Sequence, residues 1–381
     1  MNYNFPEETL ILQETVRRFV ENELMPLEQK LPDRPNSFQL PEKLHAELTT
    51  KVHEMGLGAR DVPEDAGGAG LGALDNCVIT EQVHRSTAGC GVFGSNFASM
   101  LYELGSEEQK EKYMLPAIRG KFHGASAFSE PQSGSDMAGI KTTIEKTDGG
   151  WAINGNKCWI FRANTARFIL VLTRIKGTER HEGLQWVIVD AGMPGFKVGR
   201  EQKMIHGQNT YELFFDNCVV SEEQLLGKMG EAWASGTNFL FAGRIQIAAR
   251  ALGIADRCLE MATEYAKTRH TFGKVLSSRQ AIQWMIANSA MELHAARLIV
   301  YDAASRAQAG EQVFAQTAMA KVVATEMAAK VVDRAIQIHG AAGVSDDTIL
   351  ERCYRDVRPM RIYEGTSEIQ KMVIARNILT D

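Results

Sequence analysis

The stretch Trp186-Val187-Ile188-Val189 lies near the middle of the chain and joins apolar residues that favour β-strands. Ile169-Leu170-Val171 before it and Leu213-Phe214-Phe215 after it have the same character. Turn sequences rich in glycine, asparagine and proline punctuate this region: Asp148-Gly149-Gly150, Asn154-Gly155-Asn156 and Met193-Pro194-Gly195. Because the strands follow one another without helical spacers, residues 122–226 are predicted to form an antiparallel sheet or small barrel.

Outward from this segment, both ends of the chain have helical periodicity. Near the start, Leu12, Val16 and Phe19 recur at helical spacing. Beyond the β segment, a mostly apolar helix face is formed by Ile282, Met285, Ile286, Ser289, Leu293, Ala296 and Val300. The alanine-rich segment 315–339 allows close helix packing and favours a bundle. The predicted fold is mainly α with a β insert: an N-terminal helical domain (1–121), a middle β domain (122–226) and a C-terminal helical bundle (227–381).

Composition excludes several functional classes. The net charge of −5 gives no hint of nucleic-acid binding, which normally needs a basic face, and no apolar run reaches the roughly 20 residues that span a bilayer. The N-terminus lacks the basic and apolar regions of a secretory signal. The six cysteines are scattered without a CxxC pair, which argues against a zinc site and indicates reduced thiols. We therefore expect a soluble cytoplasmic protein without a metal.

Two loops interrupt the N-terminal helices, a turn at Asp33-Arg34-Pro35-Asn36 and a glycine-rich segment at 61–72. Within the second, Gly68-Ala69-Gly70-Leu71-Gly72-Ala73 is spaced somewhat like a dinucleotide-binding fingerprint. It follows Pro63-Glu64-Asp65 and not an apolar strand, so the context of that motif is missing. We predict an ordinary loop there.

Two segments of the β region could face a flat, phosphorylated cofactor. Phe128-Ser129-Glu130-Pro131-Gln132-Ser133-Gly134-Ser135-Asp136 supplies hydroxyls and backbone amides that could wrap a phosphate, although a plain turn has the same composition. Trp159 falls near the end of a predicted strand pair over Trp151–Phe161 that turns at Asn154-Gly155. Its indole could flank a cofactor, but a core tryptophan is the commoner outcome.

Three segments of the C-terminal region carry further candidates. Arg269-His270-Thr271-Phe272-Gly273 lies between two long helices, where it could bind a pyrophosphate or be a solvated loop. Gln337-Ile338-His339-Gly340-Ala341 ends a helix with ordinary capping residues. Glu364 precedes a helix whose start is predicted from the capping-box spacing of Ser367 and Gln370. Its position alone favours a helix-dipole role, whereas a role as a base would require an apolar cleft that raises its pKa.

The order and spacing of these segments resemble the acyl-CoA dehydrogenase family from about Leu12 to Leu379. The segments Leu104-Gly105-Ser106-Glu107-Glu108-Gln109-Lys110 and Leu115-Pro116 also resemble the N-terminal domain of that family. The resemblance implies an N-terminal α domain, a middle antiparallel β-barrel domain and a C-terminal four-helix bundle, assembled as a homotetramer. It also implies FAD as the cofactor, with part of the site completed by a neighbouring subunit.

The resemblance assigns roles to residues at matching positions. Glu364 would be the catalytic base. Residues expected to bind FAD are Phe128, Ser129, Ser135, Trp159, Phe161, Arg269, Thr271, Phe272, Gln280, Gln337, Ile338, Gly340, Ala341, Thr366 and Glu368. Residues expected to bind the acyl-CoA substrate are Ser135, Phe241, Arg244, Tyr363 and Gly365.

The chemistry that this resemblance implies is α,β-dehydrogenation of an acyl-CoA thioester, as in fatty-acid β-oxidation. Glu364 would remove the α-proton, the flavin would accept the β-hydride, and electron-transfer flavoprotein would reoxidise the flavin. An acyl-CoA oxidase, an enoyl-CoA reductase or a desulfinase could use the same scaffold, because a fold does not fix one reaction. A non-catalytic acyl-CoA- or flavin-binding scaffold is an alternative from a different class.

Three positions bear on these expectations. Some relatives carry the base at the position of Gly243, which has no side chain here and leaves Glu364 as the candidate. Phe161 replaces a threonine whose hydroxyl reaches the hydride-accepting nitrogen of the flavin, so we expect an altered flavin potential or altered access at the ring edge. Phe241 replaces a common aspartate near the CoA arm, which makes an unusual acyl group a possibility.

Overall fold

The computed structural model describes residues 5–30, 40–94 and 97–380. The predicted turn at residues 33–36 lies outside these ranges. Thirteen α-helices occur in the described residues: α1 (Glu7–Phe19), α2 (Leu27–Lys30), α3 (Glu42–Glu54), α4 (Ala73–Val83), α5 (Ala98–Leu104), α6 (Glu107–Gln109), α7 (Leu115–Ile118), α8 (Ala232–Thr268), α9 (Gln280–Gln308), α10 (Phe314–His339), α11 (Ala341–Val344), α12 (Leu350–Met360) and α13 (Ser367–Thr380). The glycine-rich segment 61–72 is a loop with one short 3₁₀ turn, as predicted. Over the described residues, no helix is both long and apolar enough to cross a membrane.

Ten strands are described: β1 (Gly124–Ala127), β2 (Thr143–Thr147), β3 (Gly150–Phe161), β4 (Phe168–Ile175), β5 (Leu184–Asp190), β6 (Phe196–Gln202), β7 (Thr210–Val220), β8 (Leu225–Leu226), β9 (His270–Thr271) and β10 (Lys274–Val275). The first eight form one sheet in the order β6-β7-β3-β2-β4-β5-β8, with β1 paired to β4. Most neighbouring pairs are antiparallel, as predicted, but β4 pairs in parallel with both β1 and β2.

The predicted turn at Asn154-Gly155 is wrong, because β3 runs straight through it. The chain reverses earlier, between β2 and β3, where Gly150 has a φ of 130°. At Gly155 the register with β7 shifts, and a side chain there would collide with Thr142. Asn-Gly favours both tight turns and bulges, and the long pairing of β3 with β7 selects the bulge.

The chain divides into two compact units. The second unit, residues 42–71 and 92–239, contains the eight-stranded sheet. Alternate residues of β4 enter two apolar clusters, Phe168 and Leu170 in one and Ile169 and Val171 in the other. A strand buried on both faces must be apolar throughout, which explains its unbroken hydrophobic sequence.

The first unit comprises the described residues within 1–41, 72–91 and 240–381. Its core joins α8, α9, α10 and α12 and includes Leu74, Cys77 and Val78 of α4. A group of three polar side chains supports this packing, since Glu81 of α4 accepts hydrogen bonds from Arg297 and Tyr301 of α9. The N-terminal helix α4 thus packs among the C-terminal helices.

Candidate active site

The candidate base lies on a strained turn between α12 and α13. Glu364 has a φ of 53° and Gly365 a φ of 89°, both in the left-handed region. A residue with a Cβ is disfavoured there unless its surroundings hold it. The helix after the turn is capped by Thr366, whose hydroxyl accepts from the amide of Ile369 at 3.3 Å.

The capping box predicted from Ser367 and Gln370 is therefore wrong by one position. Ser367 is already the first residue of α13, and its hydroxyl donates to Glu326 of α10 at 2.8 Å. The Gln370 side chain instead donates to the Glu364 carbonyl at 3.0 Å. The helix start was expected in the correct region, but the Thr366 hydroxyl, and not that of Ser367, accepts from an amide of its first turn.

The Glu364 carboxyl group lies in a poorly hydrated setting. Its Oε2 is buried and has no hydrogen-bond partner within the described chain. Burial raises the pKa of Glu364 to about 7, and the positive charges of Lys321 and Arg244 oppose that rise. A carboxyl group with a pKa near neutrality can gain and lose a proton during turnover, which is the property required of a general base.

Helix α8 supplies the wall beside this carboxyl group. A side chain on Gly243 would occupy the space of the Glu364 Oε2, so the absence of a Cβ leaves room for the base. Arg244 is buried, and its Nε and Nη1 have no hydrogen-bond partner within the described chain. The guanidinium of Arg244 lies 4.8 Å from the centre of the Phe241 ring, and that ring contacts Phe314 at 4.5 Å.

Tyr363 adds a further buried polar atom, because its hydroxyl also lacks a hydrogen-bond partner within the described chain. Burial raises its pKa, so the phenol stays protonated at neutral pH and can donate. Donors without partners next to a base can bind a polar substrate. The structure thus brings Arg244, Tyr363, Glu364 and Gly365 together in the first unit, with Phe241 stacked on Arg244.

The second unit carries the loop after β1. Phe128 packs edge-to-face on Trp186 at 4.8 Å, and the carbonyl of Ser129 accepts from the amide of Cys158 at 3.0 Å. Ser135 is exposed on the same loop. The contacts of Phe128 and Ser129 fix the backbone at 128–129, and the exposure of Ser135 leaves its hydroxyl accessible to a ligand.

A buried ion pair that the sequence analysis missed anchors this loop. Lys157 of β3 donates to both the Glu130 carboxylate and the Phe128 carbonyl at 2.9 Å. Glu130 also accepts from the amides of Lys141 and Thr142. The pair has fully buried side chains, and breaking such a pair is costly, so it locks the loop to the sheet. The sequence of β3 gives no signal for this burial, because the adjacent residues Lys157 and Cys158 are both buried.

Trp159 is not a core residue, contrary to the commoner outcome for a tryptophan. Its side chain is 55% exposed, and its backbone has a φ of 63°. The amide of Trp159 donates to the buried Gln202 at 3.0 Å, which holds the residue in this conformation. A strained residue that presents an exposed indole is suited to stacking on a flat ligand. Phe161, two residues on, pairs with Thr210 of β7 and is half-buried.

The remaining candidates lie at helix ends of the first unit. Arg269, Thr271 and Phe272 are on the β9–β10 hairpin, and Phe272 is 96% exposed at its tip. Arg279 holds the hairpin by donating to the Thr271 carbonyl at 2.7 Å, and Gln280 begins α9. An exposed phenyl ring and guanidinium on a fixed hairpin form a surface that a nucleotide could contact.

The end of α10 lies close to that hairpin's root, because His339 stacks on Tyr265 of α8 at 4.3 Å. Gln337, Gly340 and Ala341 are exposed, whereas the Ile338 side chain is buried and leaves only its backbone for a ligand. Of the two residues after the base, Thr366 is occupied as a helix cap and Glu368 is exposed. No group of metal-ligating side chains occurs among the described residues.

Sequence models of the three domains of one family match the chain: acyl-CoA dehydrogenase N-terminal domain at residues 6–121, middle domain at 125–218 and C-terminal domain at 230–379. The chain is 36% identical over 396 residues to (R)-benzylsuccinyl-CoA dehydrogenase of Thauera aromatica, covering 100% of this chain and 98% of the relative. It is 35% identical over 386 residues to acryloyl-CoA reductase (NADH) of Anaerotignum propionicum, and the match covers 100% of this chain and 96% of the relative.

Among solved structures, one described as the electron transferring flavoprotein of Acidaminococcus fermentans contains a chain that matches this one with a TM-score of 0.90 and 33% identity. The match covers 100% of both chains. Other structural neighbours include FAD complexes. The exposed indole of Trp159 and the anchored loop at 128–130 fit a flat, phosphorylated cofactor of that kind. This chain belongs to the acyl-CoA dehydrogenase family of FAD-dependent oxidoreductases.

Proposed function

We propose that the protein oxidises an acyl-CoA thioester to the trans-2-enoyl-CoA, with Glu364 as the base that removes the α-proton. One observation carries the proposal: a buried carboxylate oxygen of Glu364 that has no hydrogen-bond partner among the residues that the structure describes, on a turn held in a strained conformation. Strain and unpaired buried polar atoms concentrate at functional sites.

Desolvation explains how a carboxylate can attack a weakly acidic carbon. Burial makes the ionised form of Glu364 less stable and so raises its pKa. The difference between the pKa of Glu364 and that of the α-carbon is therefore smaller. Backbone donors near the thioester carbonyl would stabilise the enolate-like charge that develops there. Bound FAD supplies the oxidised ring that accepts the β-hydride and so drives the proton removal.

Substrate binding follows from the groups around the base. The buried cation of Arg244 balances negative charge that forms beside Glu364, and Phe241 covers one face of the guanidinium. Gly243 keeps the carboxyl group free to approach the substrate. The backbone of Gly365 and the Tyr363 hydroxyl lie on the same turn and would line the thioester end of the site.

The proposal extends to assembly and to the electron acceptor. Exposed apolar residues on α9, namely Trp284, Met291, Leu298 and Ile299, fit a helix that packs against further copies of the chain, as in a homotetramer. The likeness to a chain from a study of an electron transferring flavoprotein supports electron-transfer flavoprotein as the acceptor. The three-domain division at residues 121/122 and 226/227 belongs to the same proposal.

A second candidate is the reverse reaction, reduction of an enoyl-CoA. The likeness to acryloyl-CoA reductase (NADH) favours it, because the same residues would serve. Glu364 would then deliver the α-proton, and a pKa of about 7 suits either direction. The two candidates differ only in which substrate exchanges electrons with the flavin.

Anaerobic flavin spectroscopy separates these candidates. The oxidised FAD-loaded protein is mixed with butyryl-, octanoyl-, isovaleryl- and 3-phenylpropionyl-CoA, and the dithionite-reduced protein with the matching enoyl-CoAs. Bleaching by a saturated thioester, followed by reoxidation with electron-transfer flavoprotein, supports the dehydrogenase. Rapid reoxidation by enoyl-CoAs without bleaching by the saturated thioesters supports the reductase. Rapid reoxidation of the bleached protein by oxygen would indicate an oxidase, and a yellow protein inert in every arm would indicate a binding scaffold.

A further inference from the structure

Two side chains from neighbouring helices hold the backbone on either side of Glu364. Lys321 of α10 donates from Nζ to the Tyr363 carbonyl at 2.6 Å and also to the Gly365 carbonyl. Gln370 of α13 donates to the carbonyls of Glu364 and Gly365 at 3.0 and 3.2 Å. Three successive carbonyls are therefore fixed, and Lys321 spans the residue that carries the base.

These bonds act on a backbone that would not keep this shape unaided. Glu364 and Gly365 are both left-handed, and such a conformation persists only when several contacts determine it. The outer part of the turn is tied to α10 independently of Lys321. Glu326 accepts from the Ser367 hydroxyl at 2.8 Å and pairs with Arg361 at 2.6 Å. Lys321 is therefore the contact of α10 that acts on the base itself.

The Lys321 ammonium is also an electrostatic neighbour of the base. The residue is 1% exposed, and its two carbonyl partners are neutral. An ammonium buried in this way requires compensating charge. Burial lowers the pKa of Lys321 to about 8, and the negative charge of Glu364 opposes that fall. The lysine and the glutamate stabilise each other's charged forms.

We propose that Lys321 is the positioning residue of the base, fixing the turn at 363–365 and stabilising the Glu364 carboxylate by its charge. This inference rests on the proposed role of Glu364. It assigns Lys321 no contact with the substrate or with the cofactor.

The other charged groups around the turn determine how the protonation of Glu364 should change when Lys321 is removed. Arg244 of α8 is the second cation that acts on Glu364, and Tyr363 lies beside it on the same turn. Arg250 and Asp356 act on Tyr363, and Glu326 is neutralised by Arg361. Removal of Lys321 leaves Arg244 as the remaining cation acting on Glu364. The carboxylate is then less stabilised, and its protonated form persists to higher pH.

The test measures the rate of anaerobic flavin reduction against pH for Lys321→Met, Lys321→Gln and the exposed control Lys330→Met on the same helix. The probe is whichever of the four saturated acyl-CoAs bleaches the unmodified protein. We expect Lys321→Met to move the ascending limb of the rate–pH profile to higher pH by about one unit. The rate of flavin reduction at saturating substrate should fall about tenfold near neutral pH. The KM should change little, and Lys330→Met should match the unmodified protein.

Lys321→Gln keeps two N–H donors for the carbonyls and removes the charge, so it should show the same shift in pH with a smaller loss of rate. A second readout does not depend on activity: the effect of Glu364→Gln on the unfolding temperature should shift to higher pH in the Lys321→Gln background. If the unmodified protein bleaches with none of the acyl-CoAs, the proposed function fails. Bleaching with an unchanged pH limb in both lysine variants would overturn the role of Lys321, as would failure of both variants to fold and bind FAD.

Discussion

The Glu364 carboxylate lies in the space that a side chain at Gly243 would require. Glu364 lies on the turn before α13 and Gly243 lies on helix α8. The space between them holds the Glu364 carboxyl group and has no room for a side chain at position 243 as well. Gly243 therefore belongs to the candidate site, because it leaves room for the carboxyl group of the proposed base. The missing side chain at 243 and the acidic side chain at 364 are complementary features.

The first prediction follows from this relationship. Gly243→Ala should push the carboxylate away from its present position and slow flavin reduction by about 10- to 100-fold, since a small misplacement of a reacting group has effects of that size. The protein should remain folded and yellow. Gly236→Ala on the same helix is the matched control, because its new methyl group would meet only Trp186, at 3.4 Å. Equal rates for Gly243→Ala and the unmodified protein would show that the carboxylate acts elsewhere.

The second prediction concerns stability and pH. The pKa of Glu364 is raised from 4.5 to about 7 in the folded protein, so between these values the folded state holds more protons than the unfolded state. Stability contributed by this group is present at low pH and is lost as pH rises through about 7. Glu364→Gln removes the buried charge. Its unfolding temperature should exceed that of the unmodified protein by a few degrees at about pH 8 and by less at about pH 5.

Differential scanning calorimetry over this pH range checks the sign. Glu368→Gln is a suitable control, because Glu368 is exposed on the neighbouring helix. A stability difference for Glu364→Gln that shrinks as pH rises would contradict a raised pKa at this position.

The third prediction addresses the aromatic residue at 161. Threonine there would add a hydroxyl donor to a nitrogen that accepts hydrogen bonds best when the flavin is oxidised. Phe161→Thr should therefore lower the midpoint potential by about 10–30 mV, the equivalent of one hydrogen bond in a two-electron couple. Phe161→Leu, which adds no donor, should leave the potential in place. Redox titration with reference dyes measures both variants, and an unchanged potential and oxygen reactivity in Phe161→Thr would remove the basis for this role.

Much of the fold could be predicted from local pattern. The apolar runs at 169–171, 186–189 and 213–215 all lie in strands, and the helical spacing from Ile282 to Val300 lies within α9. The long-range pairing could not be read in this way. Asn154-Gly155 is a bulge because β7 lies alongside β3, and the parallel pairing of β1 and β2 with β4 depends on partners distant in sequence.

Parts of the candidate site could be proposed from neighbours along the chain. The family-like segment around Glu364 singled it out as a candidate, and its role as the base stays a prediction; the cap of the following helix is Thr366 and not Ser367. Lys321 and the Lys157–Glu130 pair were missed, because a lysine within an apolar helix or strand reads as solvated unless its burial is known. Their contacts become visible only in the folded chain, where carbonyls and carboxylates distant in sequence converge on them.

The proposed function requires the Glu364 carboxylate to remove the α-proton of a bound acyl-CoA. Anaerobic stopped-flow spectroscopy of Glu364→Gln tests it most directly, with the acyl-CoA that bleaches the unmodified protein. We expect the variant to bind this ligand, seen as a perturbed spectrum of the oxidised flavin, yet to be reduced at least about 1000-fold more slowly. Reduction of the variant at the rate of the unmodified protein would show that Glu364 is not the base.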